Sequence, residues 1–343
     1  MENKKDLSRL PLIIKELFGI ITDDNIQNMI IEWLSRRNDE CMQEFKNIQE
    51  GKLISLHSDT MSKIIFNADS NLDRLQTLAR KITKDYTLEL ESSLSNEKPM
   101  QIVSSKRIIT DVPAKSRDGR TIILEFQNVA QKYYDKRTEL YSAEGIISQY
   151  SVPNGMKKSD YDYSDVKGSV LIFLYVKSPT GLTELVNRKN INNYIHRSSD
   201  VEFDTGISLN PLQKVIFVQL DKCFKQFKEG KDAENDKDLQ LILSAIYDIN
   251  DKDVIEKSKD NPYMERIYRD IKSKSGSKEV LAMLLAEKYA ELDYISDIND
   301  ARRTEREKEL CELYLEGLLD LCVCAKRLNI SEDEFLRLCN KFE

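Results

Sequence analysis

Apolar positions along this chain follow two periods, and the change between them marks out the architecture. Over residues 7–50, Leu10, Ile13, Ile14, Leu17 and Phe18, then Ile26, Met29, Ile30, Trp33 and Leu34, recur at three- and four-residue steps, the period of a helix with one buried face. Asp23 and Asp24 supply a start signal between the two runs. The same period continues over about 57–92 in Met61, Ile64, Ile65, Leu72, Leu75, Leu78, Ile82 and Leu88, and residues 93–104 are polar and turn-rich. Then the pattern shortens. RIITDV (107–112) and TIILEFQ (121–127) are β-branched runs on either side of a polar stretch, Lys115 to Arg120, that contains Asp118-Gly119; they predict a β-hairpin. Residues 130–150 read as a helix, followed by a polar loop from Pro153 to Gly168. SVLIFLYV (169–176) and KVIFVQL (214–220) are unbroken apolar runs of strand length, the mark of strands covered on both faces. Shorter strand-like material lies around 201–207. From about 235 the chain is helical and charge-rich, with a break at Lys272–Lys278. Two short amphipathic helices end it: Asn329 can close the first, and Ser331 with Glu334 forms a capping box for the second. No internal repeat is present.

The order of helices, hairpin, helix, strand, strand and helices predicts a mixed α+β chain of the α/β class. It has a small mixed sheet flanked by helices, with helical additions at both ends, rather than a doubly wound parallel sheet. We divide it into a helical extension (1–50), a core that carries the sheet (51–230) and a helical region (231–343) ending in a small helix-turn-helix-like segment. At 343 residues, 40% hydrophobic and 32% charged, the chain has the composition of a soluble protein with a substantial core. No run approaches the roughly 18–20 apolar residues that span a bilayer, and Met-Glu-Asn-Lys-Lys-Asp at the start lacks the apolar core of a secretory signal. Cysteines 41, 223, 311, 322, 324 and 339 form no CxxC pair and there are two histidines, so neither a disulfide framework nor a structural zinc site is expected and the compartment reads as a reducing cytoplasm. Cys322 and Cys324 read as small apolar filling of a helix. The G-x-x-x-x-G-K-[ST] and G-x-G-x-x-G phosphate loops are absent, which argues against a nucleotide cofactor.

The hairpin carries the candidate chemistry. The midpoint between Asp111 and Glu125 is residue 118, inside the polar hinge. A three-residue loop centred there, with Gly119 in the left-handed conformation, sets the two acids opposite each other on one face, Cβ atoms roughly 4.5–5.5 Å apart. A two-residue turn at Asp118-Gly119 would instead turn them to opposite faces. Gln127, two positions beyond Glu125, shares its face. Two carboxylates and an amide converging on one spot suit a divalent metal; the same three residues would also serve as the solvated face of an ordinary hairpin. Buried carboxylates are rare unless paired or metal-bound, and these sit in strongly apolar runs. The net charge of −7 argues against a generic nucleic-acid coat. Locally, however, residues 104–137 hold eight Lys/Arg against four acids, enough for a basic patch. Residues 297–343 hold twelve acids and eight bases, a poor footprint for DNA, so the tail reads as a dimerisation or protein-contact element.

An acid in the first hairpin strand, then E-x-K or E-x-Q in the second and a helix beyond, resembles the PD-(D/E)XK nuclease superfamily. More narrowly, the chain is similar to the recombination-promoting nuclease / transposase family of bacteria. Asp111-Val112 and Glu125-Phe126-Gln127 match its D-V and E-x-Q elements, with Gln127 where the wider superfamily has lysine. Tyr134, Lys136, Arg137 and Tyr141, then Gln149, resemble its following helix. Asp59 to Phe66 resembles its opening D-x-x-F-K-x-x-F element, Met61-Ser62 fitting the aromatic loosely, and Ile216 to Phe224 resembles its late I-E-L-P-K-F strand. The resemblance covers about 57–343. It implies a restriction-endonuclease-like core, DNA as the partner, and Mg²⁺ or Mn²⁺ held by Asp111, Glu125 and the Phe126 carbonyl. It implies further that Gln127 orients water or phosphate, that Lys136 or Arg137 supplies positive charge, and that Tyr141 and Gln149 lie near the substrate. Asp59 resembles the acid that an early helix contributes; its alternative is a helix N-cap before Met61. For Tyr141 and Gln149 the alternatives are core packing and helix surface. Function follows as a metal-dependent DNA endonuclease acting in recombination, mobile-element movement or defence, or else a catalytically silent DNA- or protein-binding member of the same fold. Cutting both strands of a duplex would call for two sites and so for a homodimer.

Overall fold

The computed structural model describes residues 39–340, apart from 67, 95–96, 99–107, 110, 129, 131–132, 148, 150–161, 163, 165 and 210–211. The helical runs at 7–34 therefore lie outside the described residues, as do Lys106, Arg107 and Lys132. By its contacts the described chain forms two units, residues 42–284 and residues 285–340.

In the first unit, helix α1 (Asp39–Gln49) leads to α2 (Asp59–Phe66) and α3 (Ala68–Thr83). The helical period read through to Leu88 ends early. Lys84 takes a left-handed φ of +59°, the Thr83 hydroxyl accepts from Asp85 N, and the chain turns into strand β1 (Leu90–Ser93). Leu88 is buried in that connection rather than on a helix: its side chain served the core equally well from either backbone. Two short strands, β2 (Glu97–Lys98) and β3 (Ile108–Ile109), pair with each other. The hairpin strands are β4 (Val112–Ser116) and β5 (Thr121–Gln127). The ladder thus begins where the first β-branched run ends and extends into the stretch read as a hinge. Pro113 is tolerated there because it stands at the end of the β1–β4 ladder, just beyond the last paired residue, Ala114, where Leu94 N still donates to Pro113 O.

From β5 the chain crosses over through α4 (Tyr134–Ile147) to β6 (Ser169–Tyr175), parallel to β5, the crossover that parallel strands require. Next come α5 (Thr180–Arg188) and β7 (Ile195–Arg197), which the apolar pattern did not reveal, and the small hairpin β8 (Val201–Glu202) with β9 (Ser208–Leu209). Strand β10 (Gln213–Gln219) returns parallel to β6, and the sheet runs β1-β4-β5-β6-β10-β7. Every residue of β5 and β6 is buried. The unbroken apolar run of β6 requires this, whereas β5 buries Glu125 and Gln127 along with its apolar residues. Strand β10, read from its run as covered on both faces, leaves Lys214 exposed and Val215 and Phe217 partly buried. One sheet face presents Ile123, Leu171, Phe173 and Tyr175 to Tyr141 of α4 and to Leu182 and Val186 of α5. On the other, Phe126 stacks on Phe66 of α2 at 6.1 Å. Helices α6 (Leu220–Lys228), α7 (Lys237–Tyr247), α8 (Lys252–Ser258) and α9 (Pro262–Ser275) follow. Asp236, Asp251 and Asn261 cap α7, α8 and α9, and the expected break falls between α9 and α10 (Lys278–Leu315).

In the second unit, α11 (Leu321–Leu328) and α12 (Glu332–Cys339) close a small core of Leu310, Cys311, Cys324, Ala325, Phe335 and Cys339. Asn329 ends α11 at φ +57° and Ser331 with Glu334 makes the capping box, both as read from the sequence. Cys324 is buried filling, but Cys322 on the same helix is exposed.

Candidate metal centre at the open end of the hairpin

Val112 pairs with Leu124, Pro113 with Ile123, Ala114 with Ile122 and Lys115 with Thr121, a register that continues to Asp111 opposite Glu125. The turn satisfies the condition for it. Ser116 N donates to Arg120 O and Gly119 N to Ser116 O, both at 2.9 Å, leaving Arg117-Asp118-Gly119 as a three-residue loop. Gly119 stands at φ +91°, where a side chain would strain the backbone. At the open end each acid is fixed by the opposite strand: Asp111 N donates to Glu125 Oε1 at 3.1 Å, and Phe126 N donates to Asp111 Oδ2 at 2.7 Å. Thr121 N and Gln127 O bond toward β6. Because strand groups alternate in direction, the Phe126 carbonyl faces the β4 edge on which Asp111 lies. Gln127 is buried two residues beyond Glu125.

Burial sets the electrostatics. The Asp111 carboxyl is pushed up to about 6, chiefly by desolvation and further by the charge of Asp59, against its bond from Phe126 N and the charges of Lys63 and Arg137. Glu125, 1% exposed, is raised well above the carboxylate range by burial first and by Asp111 second, with Arg137 and Lys63 opposing. The two acids thus resist sharing negative charge, and two cations from different helices face them.

Lys63 is a candidate site residue that the sequence reading held only as part of the Asp59–Phe66 element, with no role of its own. It extends from α2 and pairs with Asp59 at 2.7 Å; the signal for it was the i, i+4 spacing of Asp59 and Lys63 one helix away from the acids. Asp59 is not the cap of α2. Ser58 takes that position, its Oγ accepting from Met61 N at 3.0 Å, so the Asp59 carboxylate is turned to Lys63. On α4, Arg137 donates to Tyr141 Oη at 2.7 Å and its guanidinium lies 4.9 Å from the Tyr141 ring centre. Burial, with Glu125 nearby, pushes the Tyr141 hydroxyl up to about 12, so it stays neutral. Lys136, one residue away, points to the exposed side of α4 over Tyr133.

Gln149 is not brought to the acids. Its amide donates to Thr121 Oγ1 and to the carbonyls of Gly145 and Gly168, and accepts from Lys167 N, a bracket at the start of β5 and β6, roughly 13 Å along the strand from Glu125. Nor do the basic residues of the hinge gather beside the acids. Arg117 pairs with Glu89 at 2.5 Å, and Arg120 with Asp85 and Asp118 at 2.9 and 2.7 Å, at the far end of the hairpin. The linear count of bases missed this because a strand carries its two ends apart.

The donor set fits a hard divalent cation. Two buried carboxylates held this close destabilise a fold unless protons or a cation neutralise them. Carboxylate and carbonyl oxygens are the donors that Mg²⁺ and Mn²⁺ take. Among the described residues no three His, Cys, Asp or Glu side chains converge on one point, so two carboxylates, the Phe126 carbonyl and water would complete the shell, a mixture that Mg²⁺ accepts and zinc does not favour. No helix among the described residues is long and apolar enough to cross a membrane. No curated protein and no solved structure matches the chain. Residues 56–301, however, match the sequence profile of the PD-(D/E)XK nuclease family transposases. That span begins just before α2, includes Lys63, Asp111, Glu125, Gln127 and Arg137, and stops short of α11 and α12. With a mixed six-stranded sheet consistent with a restriction-endonuclease-like fold, this chain belongs to the PD-(D/E)XK nuclease family transposases.

Proposed function

We propose that the protein is a metal-dependent DNA endonuclease that uses Asp111, Glu125 and the Phe126 carbonyl to hold Mg²⁺ or Mn²⁺. The observation that carries the reading is the pair of reciprocal backbone bonds that fixes Asp111 and Glu125 side by side at the open end of the hairpin. A bound ion there would lower the pKa of a water and neutralise charge on the scissile phosphate. The protein's own groups do the rest. Gln127 has no charge and no exchangeable base, so its role is to orient water or phosphate by hydrogen bonds. The positive charge that the wider superfamily's lysine provides comes instead from Lys63 and Arg137, aimed at the phosphate oxygens. Asp59 positions Lys63 through their ion pair, and Tyr141 positions Arg137 by hydrogen bond and ring contact. A role in recombination, mobile-element movement or defence accords with the family. The glutamine at 127 gives weight to one other reading, a member that binds DNA or a protein partner without cutting.

Plasmid nicking with Mg²⁺, Mn²⁺, Ca²⁺ or EDTA tests the proposal. Cleavage should require Mg²⁺ or Mn²⁺, vanish in Asp111→Ala and Glu125→Ala, and fall about 100–1,000-fold in Lys63→Ala, the loss typical of removing one charge-stabilising group. Cleavage that survives both carboxylate substitutions would refute the site. Absence of cleavage with every metal while DNA binding persists would establish the non-cutting reading.

A further inference from the structure

Helix α4 buries one side against the sheet through Thr138, Tyr141, Ser142 and Gly145. Gly145 permits the close approach, since a Cβ there would stand 3.2 Å from Ser169. The other side carries a row of large apolar residues in solvent: Tyr133 just ahead of the helix and Leu140, each 59% exposed, and Ile147, 51% exposed. They are seven residues apart. A seven-residue step drifts only about 20° around a straight helix, so the three form one stripe roughly 21 Å long. Exposed apolar stripes of this kind mark contact surfaces.

Charge along the stripe identifies what covers it. Its residues are symmetric about Leu140: Tyr133 and Ile147 lie seven positions either side, Lys136 and Glu144 four either side, Arg137 and Ala143 three either side. We propose that α4 pairs with α4 of a second copy of this chain, antiparallel about a two-fold axis at Leu140. Leu140 then meets its own counterpart, and Tyr133 meets the partner's Ile147. Lys136 meets the partner's Glu144, and that pair occurs twice. A two-fold interface must be complementary to itself, and this register is. Centring the axis on Lys136 or on Glu144 would set like charges against each other. DNA is a poor occupant, because Asp135, Glu139 and Glu144 accompany Lys136 on this part of the helix and repel phosphate. Contact along a single helix of about four turns is a small interface beside the ~800 Å² per partner of a standard one, so the dimer forms reversibly. It places two candidate sites in one particle, as cutting both strands of a duplex requires; that consequence rests on the proposed function, whereas the interface does not.

Sedimentation velocity of the full chain, without DNA or metal, at concentrations up to about 100 µM tests the pairing. A concentration-dependent dimer is expected. Leu140→Asp should abolish it, and Lys136→Glu and Glu144→Lys should each raise the dissociation constant at least about tenfold, with circular dichroism unchanged. The double variant K136E/E144K restores both ion pairs with their polarity exchanged and should recover the dimer. A monomer throughout the range, a dimer that survives Leu140→Asp, or single variants that weaken it without recovery in the double would each overturn the proposal. None of these outcomes touches the nuclease reading, which nicking tests separately.

Discussion

A carboxyl group as buried as that of Glu125, beside a second acid, lowers stability so that a site can exist. Both acids have pKa values raised on folding, so the folded chain binds more protons than the unfolded one. Stability without a divalent ion therefore falls as pH rises from the ordinary 3.8 of Asp111 through about 6, the sign that follows from linkage. Glu125→Gln keeps an oxygen for the Asp111 N–H and removes the repulsion. In EDTA near neutral pH it should raise the unfolding free energy by on the order of 1 kcal/mol and flatten this pH dependence, while abolishing any stabilisation by added Mg²⁺. Urea unfolding of both proteins with EDTA and with Mg²⁺ measures all three effects. A destabilised Glu125→Gln would mean that the carboxylate is held by favourable partners and not against repulsion.

The hairpin turn works in the opposite sense. Burial alone would raise the Asp118 carboxyl, but bonds from Arg120 and Ser116 bring it down to about 2. An acid with a depressed folded pKa contributes stability above its unfolded pKa and loses it as pH falls. The turn should therefore weaken between about pH 4 and pH 2. Asp118→Asn should lower stability at neutral pH and show a shallower loss over that interval, read from denaturation midpoints across the range. The side chain is 55% exposed, so solvent screening keeps the effect small. Its importance is geometric: the three-residue loop sets the register that places Asp111 opposite Glu125.

On the scale of the molecule, each unit has its own apolar centre. In the second, Phe335 is fully buried and meets Tyr314 edge-on at 5.7 Å. Phe335→Ala should cost about 3–5 kcal/mol and speed amide exchange through α11 and α12. Unchanged protection there would show that this core does not hold the helices. The net charge of −7 describes the whole surface and not the candidate site, where Lys63 and Arg137 face the acids.

Local rules carried much of this protein. The unbroken apolar run at 169–176 determined a strand covered on both faces, because such a strand has no polar side. The similar run at 214–220 determined a parallel strand but not its cover, since Lys214 is exposed and Val215 and Phe217 are only partly buried. Asn329, Ser331 and Glu334 determined the ends of α11 and α12, because capping involves groups a few residues apart. The midpoint at 118 and the glycine after it offered a three-residue loop that sets the two acids on one face against a two-residue turn that does not, and the bonds of the folded turn chose the first. Other features depended on tertiary structure. Leu88 left the helical period for a loop, α5 was set by the sheet it covers and β7 by its pairing with β10, none of which periodicity can register. Gln149 lay near the site in sequence yet brackets the opposite end of β5, while Lys63, more than sixty residues from Glu125, acts on both acids through its charge. Sequence distance does not report which end of a strand a neighbouring helix reaches. The sequence by itself determined the hairpin and named its two carboxylates, since turn residues and alternation are local, while the length of the turn, and so their shared face, was fixed in the folded ladder. Only the tertiary structure decided which cations face them, because that depends on how α2 and α4 pack around the sheet.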